Sequence, residues 1–191
     1  MTLNTPDFGQ IAPQPGQLVS VDGWVPLNRS IFNKYPIHYK ISDNWYAVIA
    51  TTKADESGNA KVVANSSLVS KRHEDDRKIY FTSFDSNPPF VGLGRIALEL
   101  LKNRTGKEPV PSGPIAGAYA AYHGMGMQGF VIEEGVLHNI KKLTQKAKDT
   151  KSSHDFNIED KASRDDLSNI QKEILNIERL AILKGKMEFK P

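Results

Sequence analysis

The sequence predicts an α+β protein: a mostly antiparallel central sheet with flanking helices, followed by a C-terminal helical hairpin. Three observations carry that prediction. Residues 45–52 (WYAVIATT), 61–64 and 78–84 are dense in β-branched and aromatic side chains and are separated by turn-forming clusters. The glycine-rich turn Gly92-Leu93-Gly94 then opens a helix carrying Ile96, Leu98, Leu100 and Leu101. Beyond residue 136 the apolar residues recur at helical spacing with lysines between them. Strands bunched ahead of helices argue against a doubly wound dinucleotide fold, which alternates strand and helix from the start.

A length of 191 residues suits one domain with an appendage, or two small domains. The reading divides the chain into an N-terminal arm and irregular segment (1–44), a core (45–135) and a helical hairpin (136–191). Pro6, Pro13, Pro15 and Gly16 punctuate the arm. A helical turn is expected over 28–34, and a brief strand over 37–41. The cluster Asp55-Glu56-Ser57-Gly58-Asn59 turns strand 45–52 back into strand 61–64. The charged residues 70–77 are expected to form a loop. Gly106 closes the helix that begins at the glycine turn, as a left-handed cap. Pro109 and Pro111 exclude a central strand with a full ladder. A small-residue helix is expected over 115–123, and a strand over 130–132.

In the tail, Val136, Ile140, Leu143 and Ala147 define one helix. Ser163 and Asp166 resemble a capping box for the next. Leu167, Ile170, Ile174, Ile177 and Ala181 alternate in steps of three and four, as a coiled-coil seam does. Gly185 ends the helix. This hairpin is expected to pack on the core, on a second copy of the chain or on another protein through 136–184.

Composition narrows the chemistry. Without cysteine there is no disulfide, thiol nucleophile or cysteine zinc site, and five scattered histidines argue against a metal centre. No apolar window reaches the length of a membrane span, and no basic-then-apolar leader is present, so a cytoplasmic protein is expected. Net charge is only +3. Lys141, Lys142, Lys146, Lys148 and Lys151 read as a solvated helix face; with no aromatic or arginine beside them, nucleic acid is disfavoured as a partner. No G-x-S-x-G elbow, HExxH helix or P-loop occurs.

A strand followed by Gly92-x-Gly94 and a helix is a layout in which backbone amides can hold a phosphate, although glycine also serves any left-handed turn. Downstream, Ala118, Ala121, Tyr122 and Gly126 stand in AGAYAAYHGMGM. In order and spacing the two motifs resemble the GNAT N-acetyltransferase superfamily over roughly residues 45–130. Pro89 stands where that family has Gln or Arg, and Met127 where it has Phe.

The resemblance implies a strand pair that splays to admit a pantetheine arm, acetyl-CoA as co-substrate, and an amine acceptor. Gly92, Leu93, Gly94, Arg95 and Ile96 would bind the donor pyrophosphate. Tyr122 would protonate the departing thiolate, and Asp85, the acid before the glycine turn, would be the base. Each has a plainer reading: Tyr122 as a core tyrosine, Arg95 as a surface cation, Asp85 as a turn organiser. The two helices expected between the family's first strands are missing from the N-terminal part. The alternative is therefore a non-catalytic GNAT-like scaffold that binds a partner through its C-terminal helices. Its element order is also similar to modules of phage-encoded polyvalent proteins, which would place it in a host cytoplasm as a phage or effector product.

Overall fold

Strand-forming sequence begins earlier in the chain than the central motif and organises most of its first half. The computed structural model describes residues 12–112, 122, 125–127 and 129–190. The chain separates into two compact units, Met1–Val110 and Pro111–Pro191. The first contains β1 (Leu18–Ser20), β2 (Val25–Ile31), β3 (Tyr35–Ser42), β4 (Trp45–Thr51), β5 (Asn59–Glu74) and β6 (Lys78–Asn87). Helix α1 (Leu93–Thr105) and β7 (Glu108–Pro111) follow. The second unit contains β8 (Phe130–Ile132), α2 (Glu134–Ser152), α3 (Lys161–Leu183) and β9 (Met187–Phe189). The α+β class, with a mostly antiparallel sheet and a C-terminal helical pair, is as the sequence predicts.

The main sheet runs β2-β3-β4-β5-β6-β7, with β1 added on β5. From β2 to β6 it is an antiparallel meander. Period-two alternation gives the sheet two faces with different chemistry. Cross-strand rows Tyr46–Leu68–Phe84 and Val48–Ser66–Ser86 lie on one face. Helix α1 covers this face with buried Leu93, Ile96, Ala97, Leu98 and Leu101, and the Arg104 guanidinium lies 5.8 Å from the Tyr46 ring centroid. Burying each leucine or isoleucine contributes about 1.5–3 kcal/mol, so this helix–sheet layer is a large source of stability in the unit. The opposite face carries rows with polar members: His38–Ile49–Asn65–Asn87 and Ala47–Ser67–Asp85. The N-terminal segment is tied there, Asn65 Nδ2 donating to the Pro13 carbonyl at 2.7 Å and Asn87 Nδ2 to Gln14 Oε1 at 3.2 Å.

Two local expectations, the helical turn over 28–34 and the loop over 70–77, differ from the structure. The strand expected over 37–41 lies within β3, but residues 28–31 belong to β2 instead of a helical turn, and the two strands form a hairpin. Ile31 pairs with Tyr35, and Phe32 and Asn33 adopt left-handed φ of 52° and 53° to turn the chain between them. Buried Ile31, Tyr35 and Ile37 anchor the hairpin, and this tertiary gain outweighs local helical preference. Residues 70–74 continue β5 instead of looping. The turn shrinks to the residues around Asp75, whose Oδ1 accepts the amides of Arg77 at 2.8 Å and Lys78 at 2.6 Å. Those two bonds to the charged form hold the Asp75 carboxyl below its ordinary value.

In the second unit, α2 and α3 pair through Ile140 and Ala147 on one side and Leu167, Ile170, Ile174 and Ala181 on the other. The buried stripe of α3 is Ser163, Leu167, Ile170, Ile174, Glu178 and Ala181. Its steps average the ~3.6-residue pitch of a straight helix rather than the 3.5 of a coiled coil. Ile177 accordingly rotates to a half-buried position and Glu178 takes the seam. The helix starts at Lys161, three residues before the expected cap at Ser163 would allow. Ser163 lies inside the first turn, where its Oγ accepts the Asn157 amide at 3.1 Å and closes the inter-helix loop. Strands β8 and β9 pair antiparallel.

Candidate functional site: the glycine turn of the first unit

Strand β6 ends at Asn87, whose bond to Pro88 is cis, and the chain reaches α1 through Pro89, Phe90 and Val91. Gly92 is the residue before the helix, with φ 87° and ψ 1°. That left-handed conformation is what glycine supplies there, and a Cβ on Gly92 would meet nothing within 4 Å. Gly94 has a different role. A Cβ built on it would run into the tip of the Phe84 ring and lie 3.1 Å from Ser86 Oγ, so its missing side chain lets α1 settle onto β6. The two glycines of one motif thus serve a turn and a close packing contact.

The first α1 amide to find a carbonyl inside the turn is Ile96, which donates to Gly92 at 3.4 Å. The amides of Leu93, Gly94 and Arg95 come before it and are the orphan donors of a helix start. Gly92 offers no capping side chain, and the first turn contains no acid. Leu93 and Ile96 bury their side chains in the core, leaving only backbone to the turn, while Arg95 is exposed. A helix start of this kind favours an anion, through aligned amides and an adjacent guanidinium.

The far edge of β6 adds to the setting. The Glu108 amide donates to the Arg77 carbonyl at 2.8 Å, so β7 begins beside the beginning of β6. For β7 to pair with β6 from that starting point, the two strands run parallel. Strand β7 is four residues long and β6 is ten. Among the described residues, β5 is therefore the only strand alongside the last part of β6, just before the glycine turn.

Asp85 lies in this part of β6, exposed, on the face away from α1 and opposite Ser67. Its carbonyl accepts the Ser66 hydroxyl at 2.8 Å. Tyr122 belongs to the second unit, where it is fully buried with its ring 5.4 Å from that of Phe130. Burial, reinforced by nearby Glu178, pushes its hydroxyl far above the ordinary tyrosine value, so it stays protonated at neutral pH. A proton donor is compatible with that state; a base is not. Ala118, Ala121 and the helix expected over 115–123 lie outside the described residues, apart from Tyr122, which is helical.

Gly126 has a role that the motif alone did not reveal. Its φ is 75°, and the Met127 amide donates to the Tyr122 carbonyl at 3.0 Å, the six-to-one bond that closes a helix with a left-handed glycine. The spacing Tyr-x-x-x-Gly is thus also a helix-ending signal. Glu178 was legible only from a 3.6-residue reading of the seam. Among the described residues, no group of three or more His, Cys, Asp or Glu side chains is placed to hold a metal ion, and no described helix is long and apolar enough to cross a membrane. Compared with protein-family models, with curated proteins and with solved structures, the chain has no significant match in any of the three.

Proposed function

We propose that the glycine turn binds the pyrophosphate of coenzyme A, and that the chain is a coenzyme A-dependent N-acyltransferase using acetyl-CoA and an amine acceptor. The observation that carries this reading is the start of α1: uncapped amides, no acid in the first turn, and an exposed arginine, beside the part of β6 that β7 does not reach. Acyl transfer needs the donor held, its thioester polarised, and a proton returned to the thiolate. Backbone and Arg95 supply the first requirement. Asp85 is the acid that precedes the turn on β6 and the residue proposed as base.

Titration calorimetry with acetyl-CoA tests the proposal. Wild type should bind, and Arg95→Glu should weaken binding tenfold or more, about 1.4 kcal/mol, because it replaces a cation beside the phosphates with an anion. Asp85→Asn should keep donor affinity and lose turnover. No heat with wild type at millimolar acetyl-CoA would refute the enzyme reading.

A second reading has its own observation. Tyr122 is wholly buried on Phe130, and Gly94 is explained by contact with Phe84, so both motifs also have a packing role. These facts favour a non-catalytic scaffold that binds a partner through the helical pair, and that reading stands if acetyl-CoA fails to bind.

A further inference from the structure

The sheet face turned away from α1 contains two buried polar atoms whose needs the fold leaves open. His38 Nδ1 and Thr51 Oγ1 are both inaccessible, and neither has a hydrogen-bond partner among the described residues. Thr51 is 0% exposed as a whole residue. A buried donor or acceptor without a partner forfeits its hydration with nothing in return, so native proteins satisfy nearly all of them.

The register makes the two residues near neighbours. His38 stands opposite Ile49 in the β3–β4 ladder, and Thr51, the last residue of β4, lies two residues beyond Ile49, on the same side by period-two alternation and next to the register shift that an extra β5 residue, Val63, makes after Ala50. Such diagonal neighbours are separated by about 7 Å between backbones and somewhat less between Cβ atoms. A bridging water spans about 5–6 Å between the two atoms it joins, at the ordinary length of two hydrogen bonds. A third polar group lies in the same row: Asn65 is opposite Ile49 and commits its Nδ2 to the Pro13 carbonyl, which leaves its amide oxygen as an acceptor on that face. Two to four polar partners are what an internal water requires.

We infer that one internal water molecule bridges His38 Nδ1 and Thr51 Oγ1 and links β3 to β4 on the polar face of the sheet. The inference is independent of the acyltransferase proposal. The water makes the imidazole and the hydroxyl one unit, so each side chain's contribution depends on the other.

Two measurements test it. In wild type, the Thr51 methyl should show a water cross-peak in NOE and ROE spectra whose sign marks a residence longer than nanoseconds. For stability, Thr51→Val, which keeps the shape and removes the hydroxyl, should lower Tm by about 2–4 °C. Thr51→Ser should retain the bridge, and its Tm should lie above that of Thr51→Val. In a His38→Phe background, the Thr51→Val loss should shrink to less than half, because the bridge is already broken. An unchanged or raised Tm for Thr51→Val would overturn the inference, since removing an unpaired hydroxyl is neutral or favourable. So would full additivity with His38→Phe. Should the variants fail to fold, absence of the wild-type cross-peak alone overturns it.

Discussion

Truncating Ile174 to alanine tests the packing that defines the second unit. Ile174 is 3% exposed in the middle of the α3 stripe, between Ile170 and Glu178. The change removes three carbons, worth roughly 2.4 kcal/mol at about 0.8 kcal/mol for each buried methylene equivalent. A residual cavity between two paired helices adds to that and brings the expected loss into the range of about 2–5 kcal/mol. For a unit of this size, 1 kcal/mol moves Tm by about 4–8 °C, so a fall of about 10 °C or more is expected. Circular dichroism at 222 nm is the suitable probe, because α2 and α3 contain 19 and 23 helical residues against 13 in α1. Both tryptophans, Trp24 and Trp45, lie in the first unit, so their fluorescence reports on that unit separately. Leu183→Ala is the control: it removes a comparable side chain that is 83% exposed, and should move Tm by no more than about 2 °C. Equal shifts for the two variants would refute the assignment of the stripe as the core of the helical pair.

Two further expectations follow from backbone geometry and from charge. Gly129 has φ 95°, and a Cβ there would lie 2.6 Å from the Lys190 carbonyl oxygen, which is backbone and cannot swing away. Gly129→Ala should therefore cost about 1–3 kcal/mol and loosen the β8–β9 pair, read as faster amide exchange at Lys190, which donates to the Gly129 carbonyl at 2.7 Å. Burial holds the His38 imidazole below its ordinary value of 6.5. Its folded state thus favours the neutral ring: the contribution to stability is complete above 6.5 and is lost as pH falls through the folded value. Wild type should lose more stability than His38→Phe on going from pH 7.5 to pH 5 in urea titrations, and parallel pH profiles for the two would contradict this.

Local chemistry alone determined several parts of this protein. The α+β class, the hairpin around Gly58, the helix opening at the glycine turn and closing at Gly106, and the two C-terminal helices were all legible in the residues. Each rests on interactions between near neighbours in the chain: turn preferences, a helix start and stop, or one apolar stripe. Gly106 illustrates this, since its left-handed φ of 69° and the amide it donates to Lys102 need nothing from distant sequence. Tertiary structure decided the rest. Residues 28–31 became part of an edge strand because β3 was available to pair with them, and β5 ran on to Glu74 because β6 lay beside it. Both gains lie between segments, where no local window registers them. The candidate site shows the same division. A glycine pair before a helix can be read from sequence, but only the fold separates Gly92, which meets open space, from Gly94, which lies against Phe84. Likewise the stripe of α3 was visible as a pattern, whereas the choice of Glu178 over Ile177 came from the pitch of a straight helix packed on its neighbour.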